Sequence, residues 1–219
     1  MKPRVLLFDI GGVLVDFIGP AGLQGLLDGR HRLDELEQMW PDSPSLQRYE
    51  LGLIDEQTFI GEFTREWKIE LSPPAFIEAF SSWARAPLPG ALSLLDDLKG
   101  TAILACLTNM NASYWSRIRD EMGFGTRFEH CYASQETGLL KPDPAAYRQV
   151  LDDLECQPAE LWFFDDTLKN VDAARAIGMR AFHIRGTAEL KSCLHRELGK
   201  ASPWRPATDT AECSGLTDD

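Results

Sequence analysis

The feature that most constrains this chain is the run Val5-Leu6-Leu7-Phe8-Asp9-Ile10-Gly11-Gly12-Val13-Leu14-Val15-Asp16, an apolar segment that stops on a carboxylate and a glycine pair. Consecutive β-forming apolar residues, bounded by Pro3 and by glycines, fit a strand buried on both faces of a parallel sheet. Asp9 then stands at the carboxyl end of that strand. In open α/β sheets the ligand crevice lies outside those ends, so a carboxylate there is placed for chemistry. The alternative is that Asp9 caps a turn and the glycines merely make it.

A parallel sheet needs helical crossovers, and the second half of the chain supplies them. Thr101 to Leu107 reads as a buried strand stopping at Thr108-Asn109, Phe128 to Ala133 as a third, Leu161 to Phe164 as a fourth ending on Asp165-Asp166, and Arg180 to Ile184 as a fifth. Helices are expected from Leu92 to Leu98, Ala112 to Met122, Pro144 to Leu154 and Val171 to Ile177, the last closed by Gly178. Between Asp16 and Arg85 the rhythm is helical throughout, with four or five short amphipathic helices and no convincing strand. Asp55 and Ser72-Pro73-Pro74 mark two of their starts. The expected organisation is an α/β core from residues 1–16 and 86–198, a helical insertion over 17–85, and a mobile tail over 199–219, rich in Pro, Ser, Thr and Asp.

Composition narrows the partners. A net charge of −12 sets up a field that repels polyanions, which argues against a nucleic acid or an anionic membrane. No apolar run approaches the roughly 20 residues that span a bilayer, and Met1 to Arg4 is followed by too short an apolar stretch for a secretory signal. The five cysteines are odd in number and never form a CxxC pair, which fits reduced thiols in the cytoplasm. The expected partner is a small molecule, with the chain a monomer or homodimer.

Three strands end in polar residues, Asp9, Thr108-Asn109 and Asp165-Asp166, and on one sheet edge these converge on one crevice. Gly138-Leu139-Leu140-Lys141-Pro142-Asp143-Pro144 adds a lysine just before a helix start. Clustered carboxylates repel one another unless a cation shares the site, and oxygen ligands without His or Cys suit Mg²⁺. Thr108 at a helix start, with Lys141 opposite, suits a phosphate. Metal, phosphate cradle and a carboxylate able to attack make phosphoryl transfer through an aspartyl-phosphate chemically coherent.

These segments resemble the motifs of the haloacid dehalogenase-like hydrolase superfamily. FDIGGVLVD is similar to its first motif, CLTN to its second, LLKPDPAAY to its third and FFDDTLKNVDAARAIGM to its fourth, and the helical insertion resembles its C1 cap. The resemblance implies a Rossmann-like three-layer core with strand order 5-4-1-2-3 and an Mg²⁺-dependent hydrolase of a small phosphate ester, such as a sugar phosphate. It implies Asp9 as nucleophile and metal ligand, the Gly11 carbonyl and Asp166 as metal ligands, and Thr108 and Asn109 as holders of the phosphoryl oxygens. Lys141 would neutralise nucleophile and phosphate. Asp165 and Asn170 would stand behind these or act through water. The departure is Gly11, where phosphatases of this superfamily usually carry an acid–base aspartate; the α-D-glucose-1-phosphate phosphatase-like branch is similar in having glycine there.

Two rival readings share these residues. A 2-haloacid dehalogenase would use Asp9 against carbon without a metal, and a phosphate-binding scaffold would use none of them as catalyst. Among other polar residues, Asp16 reads as a cap for the first inserted helix and His183 as core or edge structure. Arg48, Tyr49 and Glu50 read as a solvated helix face, with contact to a sugar as the alternative.

Overall fold

A computed structural model describes residues 2–199. Strand β1 (Val5–Phe8) is followed by β2 (Val15–Phe17), then by helices α1 (Gly19–Leu26), α2 (Leu33–Met39), α3 (Pro44–Glu50), α4 (Glu56–Trp67) and α5 (Pro73–Ser81). Strand β3 (Ala84–Pro87) closes this insertion, and α6 (Ala91–Leu98), β4 (Ile103–Thr108), α7 (Ala112–Ser116), β5 (His130–Ala133) and α8 (Ser134–Thr137) follow. The chain continues through α9 (Pro144–Asp153), β6 (Leu161–Asp165), α10 (Leu168–Ala176), β7 (Arg180–His183) and α11 (Gly186–Leu198).

The main sheet is parallel with order β5-β4-β1-β6-β7, which is the order 5-4-1-2-3 when its strands are numbered alone. Its central strand β1 is wholly buried because its side chains alternate between two cores. Val5 and Leu7 join Ala105, Leu107 and Phe163 against Tyr147, Val150 and Val171 of α9 and α10. Leu6 and Phe8 join Leu104, Cys106, Trp162 and Phe164 in the other core, which is continuous with Phe59, Phe63, Phe76 and Phe80 of the insertion. The aromatic stripes of α4 and α5 are therefore packing: Phe59 lies 4.3 Å from Tyr49 in a stacked pair and 4.9 Å from Phe80.

Several expectations are corrected. Residues 17–85 are not strand-free at their margins, because β2 and β3 pair as an antiparallel two-stranded ribbon where the chain leaves and rejoins the core. Asp16 lies in that ribbon and faces Arg85 at 3.4 Å instead of capping α1, whose N-cap is Ile18. The helix expected from Ala112 to Met122 changes to π-helical geometry over Arg117–Glu121. Of the two readings of His183, core or edge, the structure gives the edge: it ends the edge strand β7 exposed, with Nε2 2.8 Å from the Asp166 carbonyl. Helices α8 and α11 were not anticipated, since α8 spans a single turn and α11 opens on Gly186, which reads as a breaker. Asp55 caps α4 as expected, accepting from Thr58 N at 2.8 Å, whereas Ser72 precedes α5 without a side-chain cap bond. The tail expected over 199–219 lies outside the described residues apart from Gly199. Cys106, Cys131, Cys156 and Cys193 are free thiols.

Candidate active site

The carboxyl ends of β1, β4 and β6 bring Asp9, Thr108 and Asp165 to one edge of the sheet, and all three are buried. Asp9 continues β1 by donating its backbone N–H to the Phe164 carbonyl at 2.8 Å, which fixes the carboxylate at the mouth of the crevice. Lys141 arrives from the segment before α9 and is 4% exposed; its Nζ lies 2.8 Å from Asp9 Oδ1 and 2.7 Å from Asp165 Oδ2.

Lys141 is held there by Asn109. The Asn109 Nδ2 donates to the Lys141 carbonyl and the Lys141 N–H donates to Asn109 Oδ1, each at 2.8 Å. Both ends of the Asn109 amide are thus spent on positioning. For an anion the segment offers the Thr108 hydroxyl and the Asn109 backbone N–H, neither of which bonds another described residue.

The two adjacent aspartates differ in their surroundings. Asp165 accepts from Lys141 Nζ, from Thr167 N at 2.8 Å and from Asn170 Nδ2 at 3.1 Å to both oxygens, so its lone pairs are occupied. The Asp166 carboxylate accepts, among the described residues, only from Thr167 Oγ1, at 3.3 Å, and lies over Gly12, where an added Cβ would meet its Oδ2 at 2.1 Å. Gly12 has φ +70°, so both the turn and the close approach require glycine.

One oxygen each of Asp9, Asp165 and Asp166 lies within 4.8 Å of the others, with one ammonium among them. Burial pushes the Asp9 carboxyl up to about 7; Lys141 lowers it, and the two neighbouring carboxylates raise it further. Burial, reinforced by Asp165, likewise pushes Asp166 up to about 6. For Lys141 burial works against the charge, but Asp165 and Asp9 outweigh it and hold the ammonium above its ordinary value. The cluster therefore carries more negative charge than its lysine balances, and the open oxygens are those of Asp9 and Asp166. The Gly11 carbonyl accepts no hydrogen bond among the described residues. This donor set fits a hard divalent cation.

Position 11 is open. A Cβ built on Gly11 would meet nothing nearer than Phe17 Cβ, at 3.5 Å, so glycine there is not imposed by crowding. A carboxylate weighed as a solvated helix face lies at this site instead: the Glu50 side chain, from the end of α3, is within electrostatic reach of Lys141 and Asp9. Tyr49 next to it hydrogen-bonds Ser113 of α7 at 3.2 Å. Arg48 does turn outward, to Glu62 of α4.

The chain is similar to known proteins. Residues 3–178 match the family model of the haloacid dehalogenase-like hydrolases. The chain is 28% identical over 192 residues to sesquiterpene phosphatase astK of Aspergillus oryzae, covering 87% of this chain and 93% of that protein. It is 30% identical over 189 residues to phosphoglycolate phosphatase 1 of Pseudomonas aeruginosa, covering 81% and 68%. Among solved structures, a haloacid dehalogenase family enzyme of Bacteroides thetaiotaomicron in complex with magnesium and inorganic phosphate superposes with a TM-score of 0.67 at 22% identity, over 83% of this chain and 93% of that one. A dehalogenase superposes with a TM-score of 0.60 at 20% identity, over 82% and 83%. At such identities these two matches speak to the fold alone. With the parallel sheet, the four motifs on its carboxyl edge and a family match over most of the chain, the protein belongs to the haloacid dehalogenase-like hydrolases.

Proposed function

We propose that the protein is an Mg²⁺-dependent phosphatase that hydrolyses a small phosphate monoester through a phospho-Asp9 intermediate. The observation that carries this is the charge imbalance of the crevice: three clustered carboxylates, one lysine, and two carboxylates with open oxygens. A dehalogenase attacking carbon needs no metal, so the cation-suited cluster of Asp9, Asp165 and Asp166 favours phosphoryl transfer. Relatives named as phosphatases support the same choice.

Asp9, Asp166 and the Gly11 carbonyl would hold the cation, which when bound supplies positive charge for the phosphoryl oxygens. The Asp9 carboxylate attacks phosphorus, the bond from phosphorus to the ester oxygen breaks, and a second step with water releases phosphate. Lys141 lowers the repulsion between nucleophile and phosphoryl group, and Asn109 keeps its backbone in register. The Thr108 hydroxyl and Asn109 N–H are the donors free for phosphoryl oxygens. Asp165, with Asn170 and Thr167 N on it, holds Lys141 toward Asp9. The helices over 17–85 act as the cap that covers this crevice, and the β2–β3 ribbon is its connection to the core.

Hydrolysis of a panel of phosphate monoesters should require Mg²⁺, stop with EDTA and return with added Mg²⁺. Asp9→Asn should abolish turnover with an unchanged melting temperature. Chelator-resistant chloride release from chloroacetate would overturn the reading in favour of a dehalogenase.

A further inference from the structure

We propose that Glu50, on the last turn of α3, gives the proton to the departing ester oxygen and takes one back from the attacking water, the role that glycine at position 11 leaves unfilled; this rests on the phosphatase reading above. Its position is set by the backbone. The Glu50 carbonyl accepts from Ser134 Oγ at 2.6 Å, and the same oxygen of Ser134 accepts from Met110 N at 2.9 Å. Ser134 directly follows β5 and Met110 directly follows Thr108-Asn109, so one hydroxyl ties the end of α3 to the catalytic edge of the sheet. Gly52, at φ +68°, lies so close that an added Cβ would be 3.1 Å from the Gln135 carbonyl, which holds the turn after α3 against α8.

The residue as a whole is half-buried, and its carboxylate makes no hydrogen bond or ion pair with another described residue. The ionisable groups that face it are Lys141 and Asp9 across the crevice and the Tyr114 phenol of α7. Burial pushes its carboxyl up to about 8; Lys141 works against the rise and Asp9 with it. Near neutral pH the carboxyl therefore carries a proton, as an acid that assists a poor leaving group must.

The two steps balance. As Asp9 bonds to phosphorus and the phosphorus–oxygen bond to the alcohol breaks, the Glu50 proton passes to the departing oxygen. The Glu50 carboxylate then takes a proton from water as that water attacks phospho-Asp9, which frees Asp9 and inorganic phosphate and restores the acid.

The test compares an alkyl phosphate with p-nitrophenyl phosphate, whose leaving group needs no proton. Glu50→Gln should lower kcat/KM of the alkyl ester by about 10²- to 10⁴-fold and that of the aryl ester by less than about tenfold, because kcat/KM reports the step in which the ester oxygen leaves and not the hydrolysis of phospho-Asp9 that both esters share. The alkaline limb of kcat/KM near pH 8 should vanish in Glu50→Gln and persist in Glu50→Asp. Equal losses of kcat/KM on both esters, or an unchanged alkaline limb, would overturn the role. Should Glu50→Gln fail to fold, Glu50→Asp decides by itself, since a proton carrier must keep the limb while losing more on the alkyl ester. Asp9→Asn is assayed alongside. Aryl phosphate turnover that survives it sinks the phosphatase reading, whereas Asp9-dependent turnover without leaving-group discrimination at Glu50 sinks only the proposal made here.

Discussion

At the scale of single residues, Lys141 and Glu50 show how the same burial acts oppositely on a paired and an unpaired charge. Lys141 is enclosed between two carboxylates, and their attraction exceeds the cost of desolvation. Removing it leaves Asp165, which is fully buried, without its cation, and breaking a buried pair from one side costs about 3–5 kcal/mol. Lys141→Met should therefore unfold at lower urea by about that much and lose activity. Because the folded pKa is raised, the lysine's contribution is complete below its unfolded value of about 10.4 and is lost only as pH climbs through the folded value. Glu50 has no ion-pair partner among the described residues. Its folded value, about 8, lies above the ordinary 4.5, so the folded chain holds an extra proton between them and stability falls as pH rises through that window. Wild type should lose stability relative to Glu50→Gln between about pH 5 and pH 9, measured by denaturant titration at each pH. A flat difference would mean that the Glu50 carboxyl is solvated.

At the scale of elements, the glycine pair after β1 separates into two roles. Gly12 combines a positive φ with a contact that leaves no room for a methyl group beside Asp166, whereas Gly11 has neither constraint. Gly12→Ala should cost roughly 1–3 kcal/mol in backbone strain and displace Asp166, weakening Mg²⁺ binding by calorimetry. Gly11→Ala should leave stability within about 0.5 kcal/mol and keep metal binding. The strands were legible because the sheet is parallel and buried on both faces, so each one reads as a short apolar run with a polar residue at its end. The ribbon β2–β3 was not. Ala84–Pro87 carries an arginine and a proline and is half exposed, and it becomes a strand only because Val15–Phe17 lies alongside it. The switch to π geometry after Ser116 is likewise not a property of local periodicity.

At the scale of the whole molecule, the insertion is held to the core by a continuous aromatic cluster and by a few polar ties at the crevice. Ser134 is the tie with most consequence, since its hydroxyl serves the Glu50 carbonyl and the Met110 N–H together. Ser134→Ala should cost about 1–3 kcal/mol, because both groups lose a partner. It should also lower kcat/KM on alkyl esters more than on aryl esters, as loss of Glu50 positioning would. The identities of Asp9, Thr108, Asn109, Lys141, Asp165 and Asp166 could be picked from the sequence, since each follows a strand or precedes a helix whose direction is locally encoded. Their meeting at one edge follows from parallel topology, and the structure places them there. Division of labour among them lay beyond local pattern. That the Asn109 amide grips Lys141, that Asp165 is saturated while Asp166 is open, and that Glu50 turns inward beside an outward Arg48 rest on contacts such as Asn109–Lys141, 32 positions apart, and Lys141–Asp165, 24 apart, or on side-chain direction. Periodicity and turn chemistry act over a few residues, so they determined the strands of the parallel sheet and their polar ends, while the four motifs carried the resemblance to the family. Only the packing of α3 on α8 and of the three strand ends on one another decided which carboxylate is paired, which is open and which is left to carry a proton.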